Sequence, residues 1–185
     1  EGSKLSNLEM CALVGAVLGA GSDTAVDLHS YLIKNLLQHP EQHHALMADE
    51  TLVQGAISET LRYESSGKTG LARYASEDIE IQGHQIQKGQ MVQLITSTAG
   101  MDPLIYDDPS TFNIQRDHDK SISFGQGPHY CIGVTLVRSQ TEVMLKELFK
   151  RFPNLSLGDE IVYDYAHHNA RRMDVMTVNT NIAKS

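Results

Sequence analysis

Ser6 and Glu9 open the longest uninterrupted helical pattern in the chain. They form a capping box in front of the apolar run MCALVGAVLGAG at 10–21. No proline follows until Pro40, so the pattern predicts one helix from about Asn7 to Leu37, ended by His39-Pro40. Inside it, small Ala20-Gly21 and then polar Asp23-Thr24 interrupt the apolar stretch. Pro40 suits the first turn of a second, short helix, PEQHHALMAD. Leu52, Val53, Ala56, Ile57 and Leu61 keep helical spacing and predict a third helix over 51–63.

From 72 to 98 the period changes to two. IEIQG, HQIQKG and MVQLITST read as strands of a small sheet, separated by Gly-His and Lys-Gly turns. Residues 100–122 hold Pro103, Pro109 and several aspartates, and read as an irregular, solvated meander. SFGQGPHYCIG fills 123–133 and feeds a helix over 133–152, closed by Pro153. The tail, 155–185, has short alternating segments that suit a hairpin. The expected fold is mainly α with a small antiparallel β component, in one domain of 185 residues.

A net charge of −8 argues against a nucleic-acid partner. Two cysteines, Cys11 and Cys131, make no disulfide framework and suit a reducing compartment. The 10–21 run alone is too short to span a bilayer, and no positively charged start precedes it. The expectation is a soluble cytoplasmic chain that engages no membrane, with Cys11 as a small core residue.

The chemistry concentrates in the glycine loop. Gly125, Gly127 and Gly133 let backbone approach a ligand closely. Loop N–H groups and the dipole of the following helix would favour negative charge on the Cys131 sulfur. Phe124 would shield that sulfur, and His129 could donate to an anionic arm of the same ligand. A zinc site using His129 and Cys131 lacks further ligands at suitable spacing. His39, His43, His44, His167 and His168 form no His-Glu-x-x-His pattern and read as surface residues.

Phe124-Gly125-x-Gly127-x-His129-x-Cys131-x-Gly133 resembles the haem-binding loop of cytochromes P450 at all six fixed positions. The resemblance implies the C-terminal portion of that fold, with haem b ligated to iron by Cys131 and a propionate held by His129. Glu59-Thr60-Leu61-Arg62 is similar to the family's Glu-x-x-Arg motif, where a later arginine, here Arg116, completes a structural network. Ala20-Gly21-Ser22-Asp23-Thr24 resembles the oxygen-activation segment. Ala20 and Gly21 would leave room for dioxygen, Thr24 would hydrogen-bond it or a water, and Asp23 would relay protons. Arg73, before a strand, resembles an arginine that contacts a propionate.

The resemblance implies a monooxygenase. It would take electrons from a ferredoxin- or flavoprotein-type donor and hydroxylate a small apolar substrate. Arg138, Lys146, Lys150 and Arg151 offer either a docking face for that donor or an ordinary solvated helix face. The family's N-terminal part has no counterpart here, so a fragment, a natural truncation or completion by a second chain is expected. A non-catalytic haem-binding or partner-completing half-module stays open as the alternative. Gly100-Met101-Asp102-Pro103, Ser65-Ser66 and Arg172-Met173-Asp174-Val175 depart from the family pattern.

Overall fold

A computed structural model describes residues 4–67, 70–166 and 170–180. Helix α1 spans Asn7–Gln38, and its capping box is formed: Glu9 N–H donates to Ser6 Oγ at 3.3 Å, and Ser6 N–H donates to Glu9 at 2.8 Å. It stops at His39, whose N–H bonds the Asn35 carbonyl at 3.0 Å. Pro40 then starts helix α2, Pro40–Ala48. A 3₁₀ turn at Glu50–Leu52 leads into helix α3, Val53–Tyr63.

The two ends of α1 live in different surroundings. Leu28, Tyr31, Leu32 and Leu36 are buried, at the spacing of one helix face. Leu8, Leu13, Val14, Val17 and Leu18 are exposed. Cys11 sits on this open half, so it is an exposed thiol and not the core residue expected from its apolar neighbours. The 10–21 run also belongs to a longer unit than its own length suggests, because α1 as a whole is long and apolar enough to cross a bilayer by length and composition. Its C-terminal half nonetheless buries Asp27, Lys34 and Asn35 against the rest of the protein.

The core joins α1, α2 and α3 to helix α5, Val134–Arg151, which buries Thr141, Leu145 and Phe149 at four-residue spacing. Phe112 and Ile114 enter the same core, and Tyr106 is buried too. The 100–122 stretch is therefore irregular but anchored, more than the solvated meander expected. Its aspartates turn the chain locally: Asp102 accepts from Leu104 N–H at 2.8 Å, and Asp117 from Asp119 N–H at 3.0 Å. Gly55 of α3 lies against this stretch, where an added Cβ would stand 2.1 Å from the Ile114 carbonyl oxygen.

The β component is three antiparallel pairs. Strand β1, Leu71–Tyr74, pairs with β4, Met91–Leu94. Strand β2, Ile79–Ile81, pairs with β3, His84–Ile86, about Gln82-Gly83, both at positive φ. That two-residue turn replaces the expected Gly-His turn and matches the twist of its strands. The strand expected to run through Thr98 ends at Leu94, and Thr96–Ala99 form a short helical turn, α4. Thr98 Oγ1 donates to the Ile95 carbonyl at 2.8 Å, a local bond that competes with a β ladder. Strands β5, Ser156–Asp164, and β6, Arg172–Asn179, form the terminal hairpin. The parts of the expected 155–185 hairpin at 167–169 and 181–185, His167 and His168 included, lie outside the described residues.

Candidate haem-thiolate site

The loop before α5 closes on itself. Cys131 N–H donates to the Phe124 carbonyl at 2.9 Å, and a 3₁₀ turn at Gly127–His129 lies between. Gly125 and Gly127 hold φ of 74° and 66°, left-handed backbone that side chains disfavour. Cys131 is a free, exposed thiol, three residues before Val134, where α5 begins. An added Cβ at Gly133 would meet its Sγ at 3.8 Å. Phe124 packs on the core beneath the loop, with the Arg138 guanidinium 5.6 Å from its ring centre.

Across from this loop stands α1. A cleft of about 460 Å³ has Ala20, Gly21 and Thr24 on one wall and Phe124, Cys131 and Gly133 on the other. Thr24 Oγ1 donates to the Ala20 carbonyl at 2.7 Å, which leaves its lone pairs open to accept. A second cavity of about 730 Å³ adjoins it, sharing Leu71, Gly125 and His129, and includes Arg73. Arg73 and His129 thus face one space, continuous with the space in front of Cys131.

Asp23 does not join this wall. It is absent from the cleft lining, and its carboxylate lies 3.3 Å from Arg172 Nη2 of β6. Neighbouring residues on a helix point about 100° apart, which separates Asp23 from Thr24.

Behind the site, Glu59 and Arg62 form a buried pair. Arg62 Nε and Nη2 each donate to a Glu59 oxygen at 2.7 Å. Arg62 also donates to the carbonyls of Gly100, Pro109 and Thr111, at 2.9, 2.7 and 3.1 Å. Arg116 Nε donates to Glu59 at 3.3 Å and its Nη1 to the Asp107 carbonyl at 2.5 Å. The three charges thereby tie α3 to the meander. His118, not singled out from sequence, stands 3.7 Å from Glu59, and burial pulls its pKa down while Glu59 pushes it up.

A second cluster also escaped the sequence. Glu64 pairs with Lys34 and, at 2.7 Å, with Arg171. Arg171 Nε donates to Tyr31 Oη at 3.1 Å, and Tyr31 Oη donates to the Arg171 carbonyl at 2.8 Å. This cluster seats the β5–β6 hairpin on α1. The only cue was Arg171-Arg172 at a strand start, whose adjacent side chains alternate in direction.

Other expectations shift. His39 packs on Phe112 and Tyr63, and His43 on Phe149, so both are half-buried rather than surface histidines. Arg138 is half-buried, Lys146 pairs with Glu50 at 3.3 Å, and Arg151 with Glu147 at 3.2 Å. No cluster of three or more His, Cys, Asp or Glu able to hold a metal ion occurs among the described residues.

One thiol facing a cleft, with His129 on that cleft and Arg73 in the cavity adjoining it, fits a flat metallocofactor with anionic arms. That donor set is of the haem-thiolate type. The model of the cytochrome P450 family matches residues 1–161, and the chain belongs to that family. It is 36% identical over 178 residues to the epothilone C/D epoxidase of Sorangium cellulosum, covering 96% of this chain and 42% of that protein. With the vitamin D3 dihydroxylase of Streptomyces griseolus it shares 39% over 150 residues, 81% of this chain and 37% of the other. A crystal structure of epothilone D-bound cytochrome P450epoK superimposes with TM-score 0.91 at 36% identity, over 99% of this chain and 45% of that one. The chain therefore spans less than half the length of these relatives. Members of the family bind haem b through a cysteine thiolate.

Proposed function

We propose that this chain is the haem-thiolate portion of a monooxygenase that hydroxylates or epoxidises an apolar organic substrate. The observation that carries the reading is the cleft between Cys131 and the Ala20–Thr24 wall, adjoined through His129 by the cavity that Arg73 lines. Haem b, when bound, supplies the activation of dioxygen. Cys131 ligates it, helped by the N-terminal dipole of α5, and Phe124 keeps water from the sulfur. His129 and Arg73 hold its anionic arms. Ala20 and Gly21 keep the α1 wall thin, Thr24 accepts and passes a proton at Oγ1, and Asp23 exchanges protons with solvent.

Glu59, Arg62 and Arg116 support the loop side without touching the reacting atoms. Electrons come from a ferredoxin- or flavoprotein-type donor that docks on the Cys131 side of the protein. The open apolar side of α1 is covered by further parts of the fold, from the same or a second chain. Two unpaired cysteines, Cys11 and Cys131, fit a cytoplasmic setting.

The names of the relatives, an epothilone epoxidase and a vitamin D3 dihydroxylase, support an apolar substrate. The test is turnover of the full-length, haem-loaded protein with a ferredoxin-type reducing system under isotopically labelled dioxygen. Products that carry one labelled oxygen, with a yield falling about 10²-fold in Thr24→Ala, are expected. Unlabelled products, or turnover indifferent to Cys131→Ser, would overturn the reading.

A further inference from the structure

We propose that His29 of α1 and Thr141 of α5 form a clasp that fixes the spacing of the two cleft walls, so that His29 is a positioning residue for Thr24 relative to Cys131. The proposal rests on the oxygenation reading above and adds what holds its two walls in register. His29 Nε2 lies 2.9 Å from Thr141 Oγ1, a contact between positions 112 residues apart. Thr141 is fully buried and His29 half-buried.

The direction of this bond follows from a second one. Thr141 Oγ1 also lies 2.7 Å from the Val137 carbonyl oxygen, which can only accept. The single hydroxyl proton is therefore spent on Val137, and Oγ1 has only lone pairs to offer His29. The imidazole carries its proton on Nε2, with Nδ1 bare in the neutral ring. Burial pulls the His29 pKa down and so favours that neutral ring.

Position gives the clasp its role. Ala25 and Leu28 line the cleft on α1, and His29 follows them; Val137 and Gln140 line it on α5, and Thr141 follows them. The clasp thus ties the two helices together beside the cleft they share. From there each helix runs toward the site as a rigid arm. Thr24 lies five residues back along α1, about 7.5 Å of rise, and Val134 seven residues back along α5, about 10.5 Å. The walls themselves carry small residues such as Ala20, Gly21 and Gly133, which offer few dispersion contacts to fix a separation. A misplacement of about 1 Å between reacting groups costs on the order of 10²-fold in rate, so a directional bond at this point governs how well Thr24 serves the site.

The experiment uses the full-length haem-loaded protein with isotope-labelled histidine, in its reduced, carbon-monoxide-bound and hence diamagnetic form. His29, assigned by the loss of its ring signals in His29→Asn, should show a protonated Nε2 and an unprotonated Nδ1. The infrared stretching band of the carbon monoxide, which senses the α1 wall, should shift or split in Thr141→Val and in His29→Asn. It should keep its position in Thr141→Ser, which retains the hydroxyl, and in His29→Gln, whose amide N–H reaches where Nε2–H stood. Under a ferredoxin-type reductant, the ratio of oxygenated product to released hydrogen peroxide should fall several-fold in the first two variants and not in the second two. The double variant His29→Asn/Thr141→Val should lose no more than either single one. A proton on Nδ1 in place of Nε2 overturns the proposal alone, as does a band unmoved by Thr141→Val or a double variant whose losses add. Absence of a thiolate-haem spectrum in the unsubstituted protein instead overturns the oxygenation reading and the role of the clasp at Thr24, while a protonated Nε2 would still uphold the bond itself.

Discussion

Arg62 is the largest fully buried side chain among the described residues, and it survives burial because every face of its guanidinium meets an acceptor. Glu59 answers it and also accepts from Asn113 N–H at 2.8 Å and from Arg116. Removing one charge leaves the others desolvated and unpaired. Glu59→Gln should therefore cost about 3–5 kcal/mol, read as a lower midpoint in chemical denaturation. A charged surface substitution such as Lys150→Ala should leave that midpoint nearly unchanged.

Three histidines add a pH dependence. Burial pulls His29, His43 and His118 below the usual imidazole value, so each binds its proton more weakly folded than unfolded. With folded pKa depressed, the unfolded chain holds more protons below about pH 6.5, and stability falls as pH drops through that value. It is fully present above it. A thermal midpoint that declines from pH 7.5 to 5, with a shallower slope in His43→Gln, is the expected result. A midpoint flat across that range would contradict the assignment of these rings as buried and neutral.

At the scale of elements, the outcome depends on whether information is local. The capping box, the long helix, the glycine loop and the Glu59–Arg62 pair were legible because each is written within a few residues. The strand end at Leu94 was misread because the Thr96–Ala99 bonds resemble a continuing polar alternation. Arg172 and Arg171 were not legible as partners of Asp23 and Tyr31, since those pairs join positions 149 and 140 residues apart. The direction of Asp23, away from Thr24, needs the hairpin to be in place.

Two predictions belong at this scale. Glu64→Gln loosens Lys34 and Arg171 together, and hydrogen bonds to charged groups contribute about 1.5–3 kcal/mol. Amide exchange in β6 should accelerate about tenfold or more while α3 keeps its protection. Gly125→Ala places a side chain at φ 74° at a cost of about 1–2 kcal/mol, confined to the loop. It should weaken haem retention with little change in the far-ultraviolet circular dichroism. Equal loss of both would mean the loop and the core unfold as one.

For the whole molecule, the layout packs a dense core on the C-terminal half of α1 and leaves its N-terminal half apolar and open. Composition gave no hint of this division, because Leu13 and Leu18 read like Leu32 and Leu36 until packing separates them. The relatives are more than twice as long as the matched stretch, in keeping with an α1 that is central to a larger fold. The cleft, the loop and the acid–arginine network all lie within the described residues, and they make one claim in common: Cys131 is the ligand of a haem.

That claim is tested most directly by the absorption spectrum of the reduced, carbon-monoxide-treated full-length protein beside its Cys131→Ser variant. The account predicts a strongly red-shifted Soret band in the first that is absent from the second. A spectrum typical of histidine ligation, or the same band in both proteins, would contradict it.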